Sequence, residues 1–279
     1  MDVLLPASFS EACALLAQDP ERIALAGGTD LLAGWPERQD RHEATYIDLS
    51  KLAELKSIAW DDNALVLGAM TTFWDVLCDA HVRDEFPLLA KVARRIGALQ
   101  IQTRGTWAGN VSTALPSADG AAALMAHDAV LELASADGEE RVSLADFYLG
   151  GKRTRRRKDQ LIRAIRIPRR KHSVQTFEKV GIRASQSVSI LSLTITCSAA
   201  GWRVVAGGMA PSVTRWPSLE RLIESATPIG SPAELLPSVR ADLTPIDDLR
   251  SSAGYRERVM ARVAFIELSQ VCPQFHGRL

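Results

Sequence analysis

Phe9, Cys13, Leu16 and Ala17 recur at helical spacing behind Ser8-Phe9-Ser10-Glu11, a capping-box pattern, and the run stops at Asp19-Pro20. The spacing predicts a short amphipathic helix. A buried strand over 23–26 leads into Gly27-Gly28, a second helix is expected to begin within 31–35, and 46–49 reads as another strand. The segment up to Ser50 therefore predicts a small β-α-β-like unit around a glycine loop. Residues 56–60 and 65–69, separated by Asp61-Asp62-Asn63-Ala64, predict a hairpin, followed by helices over 72–80 and 86–96. After a second glycine loop at 106–110 come a small-residue helix over 118–126 and a strand over 129–133. A tight turn at Asp137-Gly138, a short helical element over 146–149 and a strand over 161–167 ending at Pro168 follow. Three β-rich runs, 174–180, 188–198 and 202–207, suit an antiparallel sheet. Helices over 219–225 and 255–268 close the pattern, the latter with Val259, Met260, Val263 and Ile266 as its apolar stripe. Arg169-Arg170-Lys171 reads as a linker and places a domain boundary near 168–173.

Composition narrows the function. With 279 residues and 47% hydrophobic content the chain can fill two modest cores. Its 33 basic and 33 acidic residues cancel, so the cationic excess of a nucleic-acid binder is missing. The basic residues are uneven: 152–171 carries eleven Lys or Arg against Asp159 alone. That run reads either as a solvated loop and strand face or as a docking surface for an acidic partner subunit or an anionic co-substrate. Gly150-Gly151 before it suits a connecting hairpin. Cysteines at 13, 78, 197 and 272 form no CxxC pair, so no iron–sulfur cluster is expected on this chain, and Cys13 and Cys197 read as buried thiols. The start lacks a signal-peptide pattern and no run approaches roughly 18 apolar residues, so a cytoplasmic, reducing location without a membrane span is expected. Five scattered histidines suggest no metal site, and no Ser-His-Asp constellation is evident. No catalytic residue is expected on this chain; the chemistry must come from a cofactor.

Glycine lets bare backbone N–H groups approach an anion, and consecutive amides form a concave nest. Two such segments, Ala24-Leu25-Ala26-Gly27-Gly28-Thr29-Asp30-Leu31 and Thr106-Trp107-Ala108-Gly109-Asn110, suggest a dinucleotide diphosphate. A neutral hydrogen bond nets only about 1 kcal/mol, so two segments serve better than one. Their order, with Ile101-Gln102-Thr103-Arg104-Gly105 before the second and Pro116-Ser117-Ala118-Asp119 after it, resembles the FAD-binding medium subunit of the molybdenum hydroxylases. That family includes xanthine dehydrogenase and carbon monoxide dehydrogenase, and the resemblance covers almost the whole chain.

The resemblance implies an α+β fold. A two-part FAD-binding domain of the PCMH type is expected over 1–170, with subdomains about 1–52 and 53–170. A smaller C-terminal β-sheet domain with helices, of the CO dehydrogenase flavoprotein type, is expected over 171–279. It implies FAD held by both segments. Asp119, nine residues after Asn110, would accept from cofactor hydroxyls, or stand as a helix N-terminal carboxylate. Ile96 would face the flavin and Ile162 and Lys179 would make later contacts. Ile96 and Ile162 equally suit plain core, and Lys179 plain solvent exposure. Arg183 is a candidate partner for an anion or for Asp119. With 6% aromatic content, the flavin face is expected to pack on aliphatics such as Ile96.

The chain departs from the family pattern at Ala108, where Gly-Gly-Asn is usual, at Trp107, and at Gln102-Thr103. If position 108 needed φ > 0, alanine would cost about 1 kcal/mol there. The implied function is electron transfer: iron–sulfur clusters on a small partner subunit, fed by a molybdopterin-bearing large subunit, reduce the flavin. The flavin then reduces NAD, oxygen or another small-molecule acceptor. Two alternatives stay open: an FAD-free paralogue serving as an assembly or scaffold subunit, and a stand-alone flavin reductase.

Overall fold

In a computed structural model, which describes residues 2–33, 37 and 42–277, the chain opens with β1 (Asp2–Leu4), α1 (Phe9–Gln18), β2 (Ile23–Leu25) and β3 (Thr45–Asp48). β1 and β2 each run parallel to β3, giving the order β1-β3-β2. α1 starts where expected: Ser8 Oγ accepts from the Glu11 N–H at 3.1 Å, while the Glu11 carboxylate accepts from Ala7 at 2.7 Å. Phe9, Ala12, Cys13 and Leu16 form its buried stripe. β1 was not legible, since three residues with two exposed carry no alternation. β2 is half-buried rather than buried, because one side of it walls a cavity. Instead of starting a helix, residues 31–33 form a turn; the remainder of that expected start, Gly34 and Trp35, lies outside the described residues.

β4 (Ile58–Trp60) and β5 (Ala64–Gly68) form the expected hairpin. Next come α2 (Phe73–Cys78), α3 (Ala80–Glu85), α4 (Pro87–Arg95), α5 (Leu99–Gln102), α6 (Trp107–Ser112) and α7 (Asp119–Ala126). They are followed by β6 (Val130–Ser135), β7 (Gly138–Ser143), α8 (Leu144–Phe147), the β8 (Tyr148–Gly150) and β9 (Arg153–Thr154) hairpin, and β10 (Leu161–Pro168). β4-β5-β10-β6-β7 make an antiparallel sheet. The helix expected over 72–80 divides at Asp79, whose carboxylate accepts from the Val82 N–H at 2.9 Å and so starts α3.

The remaining elements are β11 (His172–Gly181), β12 (Ser189–Ser198), β13 (Gly201–Gly207), β14 (Thr214–Arg215), α9 (Pro217–Glu224), α10 (Leu236–Asp242) and α11 (Ala253–Ser269). The four strands pair antiparallel in chain order. β12 is covered on both faces. Leu191, Leu193 and Ile195 enter a core with Trp216, Leu219, Phe265 and Phe275, while on the opposite face Thr196 Oγ1 donates to Ala126 O of α7 at 2.6 Å. α7 can lie against this sheet because five of its eight residues are Gly or Ala, and all eight are buried.

The α11 stripe differs from expectation. Met260 is buried, but its companions are Arg256, Ala261, Ala264, Phe265 and Leu268, and Ile266 is 38% exposed. The Arg256 guanidinium is buried because it donates to Ile190 O at 2.6 Å and Gly208 O at 2.7 Å and pairs with Asp248 at 2.7 Å. Cys13 is buried as expected, whereas Cys197 is half-buried.

Candidate functional site

A cavity of about 600 Å³ lies between the parallel sheet on one side and α6 with the start of β10 on the other. Past Leu25 the chain turns through Ala26, Gly27 and Gly28, the last at φ +73°. A Cβ on Gly27 would lie 1.8 Å from Arg104 O, so this loop touches the segment before α6 and only glycine fits. Ala24, Ala26, Gly27, Gly28, Thr29, Asp30 and Leu31 line the cavity; Leu25 belongs to the strand and does not. The N–H groups of Gly27, Gly28 and Thr29 have no partner among the described residues.

The second segment is not a loop. Thr106 is the N-cap of α6, its Oγ1 accepting from the Gly109 N–H at 2.9 Å, and Trp107 to Asn110 form the first turn. Ala108 is helical, with no positive φ, so its methyl is accommodated without strain. Thr106, Ala108, Gly109 and Asn110 line the cavity. Trp107 points away: its ring is fully buried against Phe73, ring centroids 5.0 Å apart, and its backbone N–H donates to Thr71 O at 3.1 Å. Asn110 Oδ1 accepts from the Ala121 N–H at 3.0 Å, tying α6 to α7. Gln102 is structural: its amide donates to Ile96 O at 3.1 Å and Arg94 O at 3.4 Å at the end of α4.

Ile96 and Ile162 are both on the cavity wall, with Phe73 and Ile101 beside Ile96. Asp119 and Lys179 are not. They form a pair at 2.7 Å with side chains only 5% and 6% exposed, one layer away from the cavity. Ser189 Oγ donates to the other Asp119 oxygen at 2.6 Å, and Lys179 Nζ also donates to Arg95 O at 3.1 Å. The pair thus joins α7 and α4 to β11 and β12, with its charges matched by hydrogen bonds, the condition under which a buried pair is tolerated. Arg183, a candidate partner of Asp119, instead donates to Ser185 O at 3.1 Å and to Gln186 O.

Residues 1–170 match the family model described as the FAD binding domain in molybdopterin dehydrogenase. The chain belongs to this family. A putative xanthine dehydrogenase FAD-binding subunit of Escherichia coli (strain K12) is 27% identical over 98% of this chain and 96% of its own length. The nicotinate dehydrogenase FAD-subunit of Eubacterium barkeri is 32% identical over 73% of this chain and 72% of its own length. In structure, a chain of carbon monoxide dehydrogenase from Hydrogenophaga pseudoflava, lacking the Mo-pyranopterin moiety of its cofactor, superposes with a TM-score of 0.84. It is 25% identical and covers 98% of both chains. The protein is therefore an FAD-binding oxidoreductase subunit of the molybdenum hydroxylase type, with the α+β fold expected of it.

The residues present fit this flavin-binding subunit's cofactor. A volume of about 600 Å³ lies in the range of roughly 300–1,000 Å³ of cofactor sites. The amides of Gly27, Gly28, Thr29 and Ala108 have no acceptor among the described residues, and for buried Gly27 and Ala108 an amide is not left unpaired without cost. Sequence reasoning missed Arg22, Ile101, Ser112, Thr113 and Arg156 on the wall. For Arg156 there was a signal, the basic run, but nothing in it distinguished one arginine from its neighbours.

Proposed function

We propose that this chain carries FAD in the cavity as the electron-transfer subunit of a molybdenum hydroxylase. Electrons arrive from iron–sulfur clusters of a small partner subunit, supplied by a molybdopterin-bearing large subunit, and leave to NAD, oxygen or another small-molecule acceptor. FAD supplies the redox chemistry when bound, accepting and passing on electrons. The protein's part is to hold and orient it. Amides from Ala26 to Asp30 and at Ala108 receive the diphosphate, with the Thr29 and Thr106 hydroxyls nearby. Ile96, Ile101 and Phe73 exclude water from the ring end, and Ile162 closes the opposite wall. Asp119 and Lys179 act from behind, holding α7, and through Asn110 the first turn of α6, in register with α4.

The single observation that carries this reading is the convergence of unpartnered amides from two segments on one cavity. We assign 1–170 to the FAD-binding domain, with subdomains about 1–52 and 53–170, and 171–279 to the C-terminal domain; the family model ends at 170 and β11 begins at His172, which supports that division. Among the described residues no helix is long and apolar enough to cross a membrane. We place the complex in the cytoplasm, which the four unpaired cysteines support. The substitution at Ala108 gives no ground for an FAD-free scaffold, since its helical backbone accepts alanine.

The visible absorption spectrum of the purified chain, before and after incubation with FAD, tests the reading. Stoichiometric flavin, released by heat and identified as FAD, is expected. A colourless protein that also fails to take up added FAD would overturn it.

A further inference from the structure

We propose that the end of the cavity walled by Arg22 and Arg156 recognises the AMP half of the cofactor, and that Arg156 makes the site select FAD over FMN. This rests on the FAD reading above and deepens it.

The cavity runs beside β2. Arg22, Ala24 and Gly27 all line it, and from Arg22 to Leu25 the chain rises about 10 Å before it turns into the glycine loop. At the Gly27 end, Gly27 abuts Arg104 and Gly105, and Gly105 lies against Ile101 and Phe73. The open amides and the ring-facing isoleucine Ile96 are therefore gathered there. A ligand whose diphosphate sits on Gly27 and Gly28 and whose ring lies against Ile96 extends its remaining half along β2 toward Arg22 and Arg156. Leu16, Pro20 and Leu161 give that end apolar walls suited to a flat base.

Of the basic run, Arg156 and Lys158 line the cavity, and among the described residues they differ in their partners. Arg157 is held by Asp159, Arg163 by Glu139, Arg169 by Glu85, Arg170 by Asp128, and Lys158, which also lines the cavity, by Glu21. Arg156 pairs with no carboxylate among the described residues. Its Nη1 donates to Gln160 O at 2.6 Å and Arg157 O at 3.1 Å, which fixes the side chain, while Nε and Nη2 have no hydrogen-bond partner among the described residues. Burial lowers its pKa, and the attraction of Asp159 only partly offsets this. A fixed guanidinium with one donor edge free can stack on a purine and donate to its ring nitrogens or to the ribose hydroxyls. Arg22 is the weaker partner, its Nη1 donating to Leu15 O at 2.6 Å and its Nε lying 3.8 Å from Asp19.

FMN lacks the AMP half, so comparing the two flavins isolates it. The full chain, freed of flavin, is titrated with FAD and FMN by fluorescence, with ADP as a colourless competitor. Arg156→Ala should weaken FAD about tenfold to about a hundredfold, leave FMN unchanged and abolish ADP competition. Arg156→Lys, which keeps the charge but loses the planar fork, should recover only part of the FAD affinity. Unchanged FMN binding also certifies that the variant is folded. Equal loss of both flavins, or no loss of FAD, overturns the assignment. A wild-type chain that binds neither flavin overturns the cofactor reading itself, whereas wild-type binding with an indifferent variant overturns only the role of Arg156.

Discussion

Between Leu25 and Leu31 the chain leaves a strand through Gly28 at φ +73°, with Gly27 pressed on Arg104; between Gly105 and Asn110 it enters a helix whose first turn is capped by Thr106. Both line one cavity and bring it amides without a partner among the described residues, those of Gly27, Gly28 and Thr29 from the first and that of Ala108 from the second, but by different means. In the first segment the backbone is in a region that side chains disfavour and is too close to its neighbour for a Cβ, so glycine is required. In the second, one amide, that of Ala108, has no partner among the described residues because it lies in the first turn of a helix, and a small residue suffices there. Ala108 is therefore compatible with the site, while an equivalent change at Gly27 is not.

The contrast is broken most directly at Gly27. Gly27→Ala should cost about 3 kcal/mol or more in the urea unfolding midpoint and remove FAD binding, because the 1.8 Å overlap is with backbone rather than with a side chain that can rotate. A variant with the wild-type midpoint would show that the loop shifts freely and would erase the difference between the segments.

Acid should act on the second segment, through α7. His127, at the C-terminal end of α7, is fully buried with Nδ1 donating to Ala123 O at 2.9 Å, and burial pushes its pKa from 6.5 down to about 4. The folded-state pKa is below the unfolded one, so protons favour the unfolded chain. The stabilisation is complete above pH 6.5 and is lost as pH falls toward 4, a loss of about 2–3 kcal/mol. Denaturation midpoints across that range in wild type and His127→Gln check it; a step of equal size in both would assign the acid sensitivity to other groups.

Thr106→Ala should destabilise by about 1 kcal/mol through loss of the cap, with Thr106→Ser recovering most of it, as read by thermal unfolding. The smallest effect is expected at Ala108. Ala108→Gly, which restores the family's residue, should lower stability by roughly 0.5–1 kcal/mol, since glycine in a helix loses more backbone entropy. A gain in stability would mean that this position is not helical in solution.

The sequence by itself determined most of the longer elements and the two glycine-bearing segments that line the cavity. Periodicity gave α1, the β4–β5 hairpin, β10 and the three long strands of the C-terminal sheet, because each has a repeating apolar pattern long enough to read. The glycines marked both cavity-lining segments. Tertiary structure decided what pattern does not encode. It made Thr106 to Asn110 a cap and a helical turn, and it turned Trp107 into the core against Phe73. It paired Asp119 of α7 with Lys179 of β11 instead of placing them on the cavity wall. Among the described residues Arg156 lines the cavity without a bound carboxylate, held there by the Gln160 and Arg157 carbonyls, while Lys158, also on the wall, pairs with Glu21 from far along the chain. Local spacing fixes which residues share a face of one element; which groups become partners depends on contacts between residues far apart in the chain, and burial then sets how strongly their charges count.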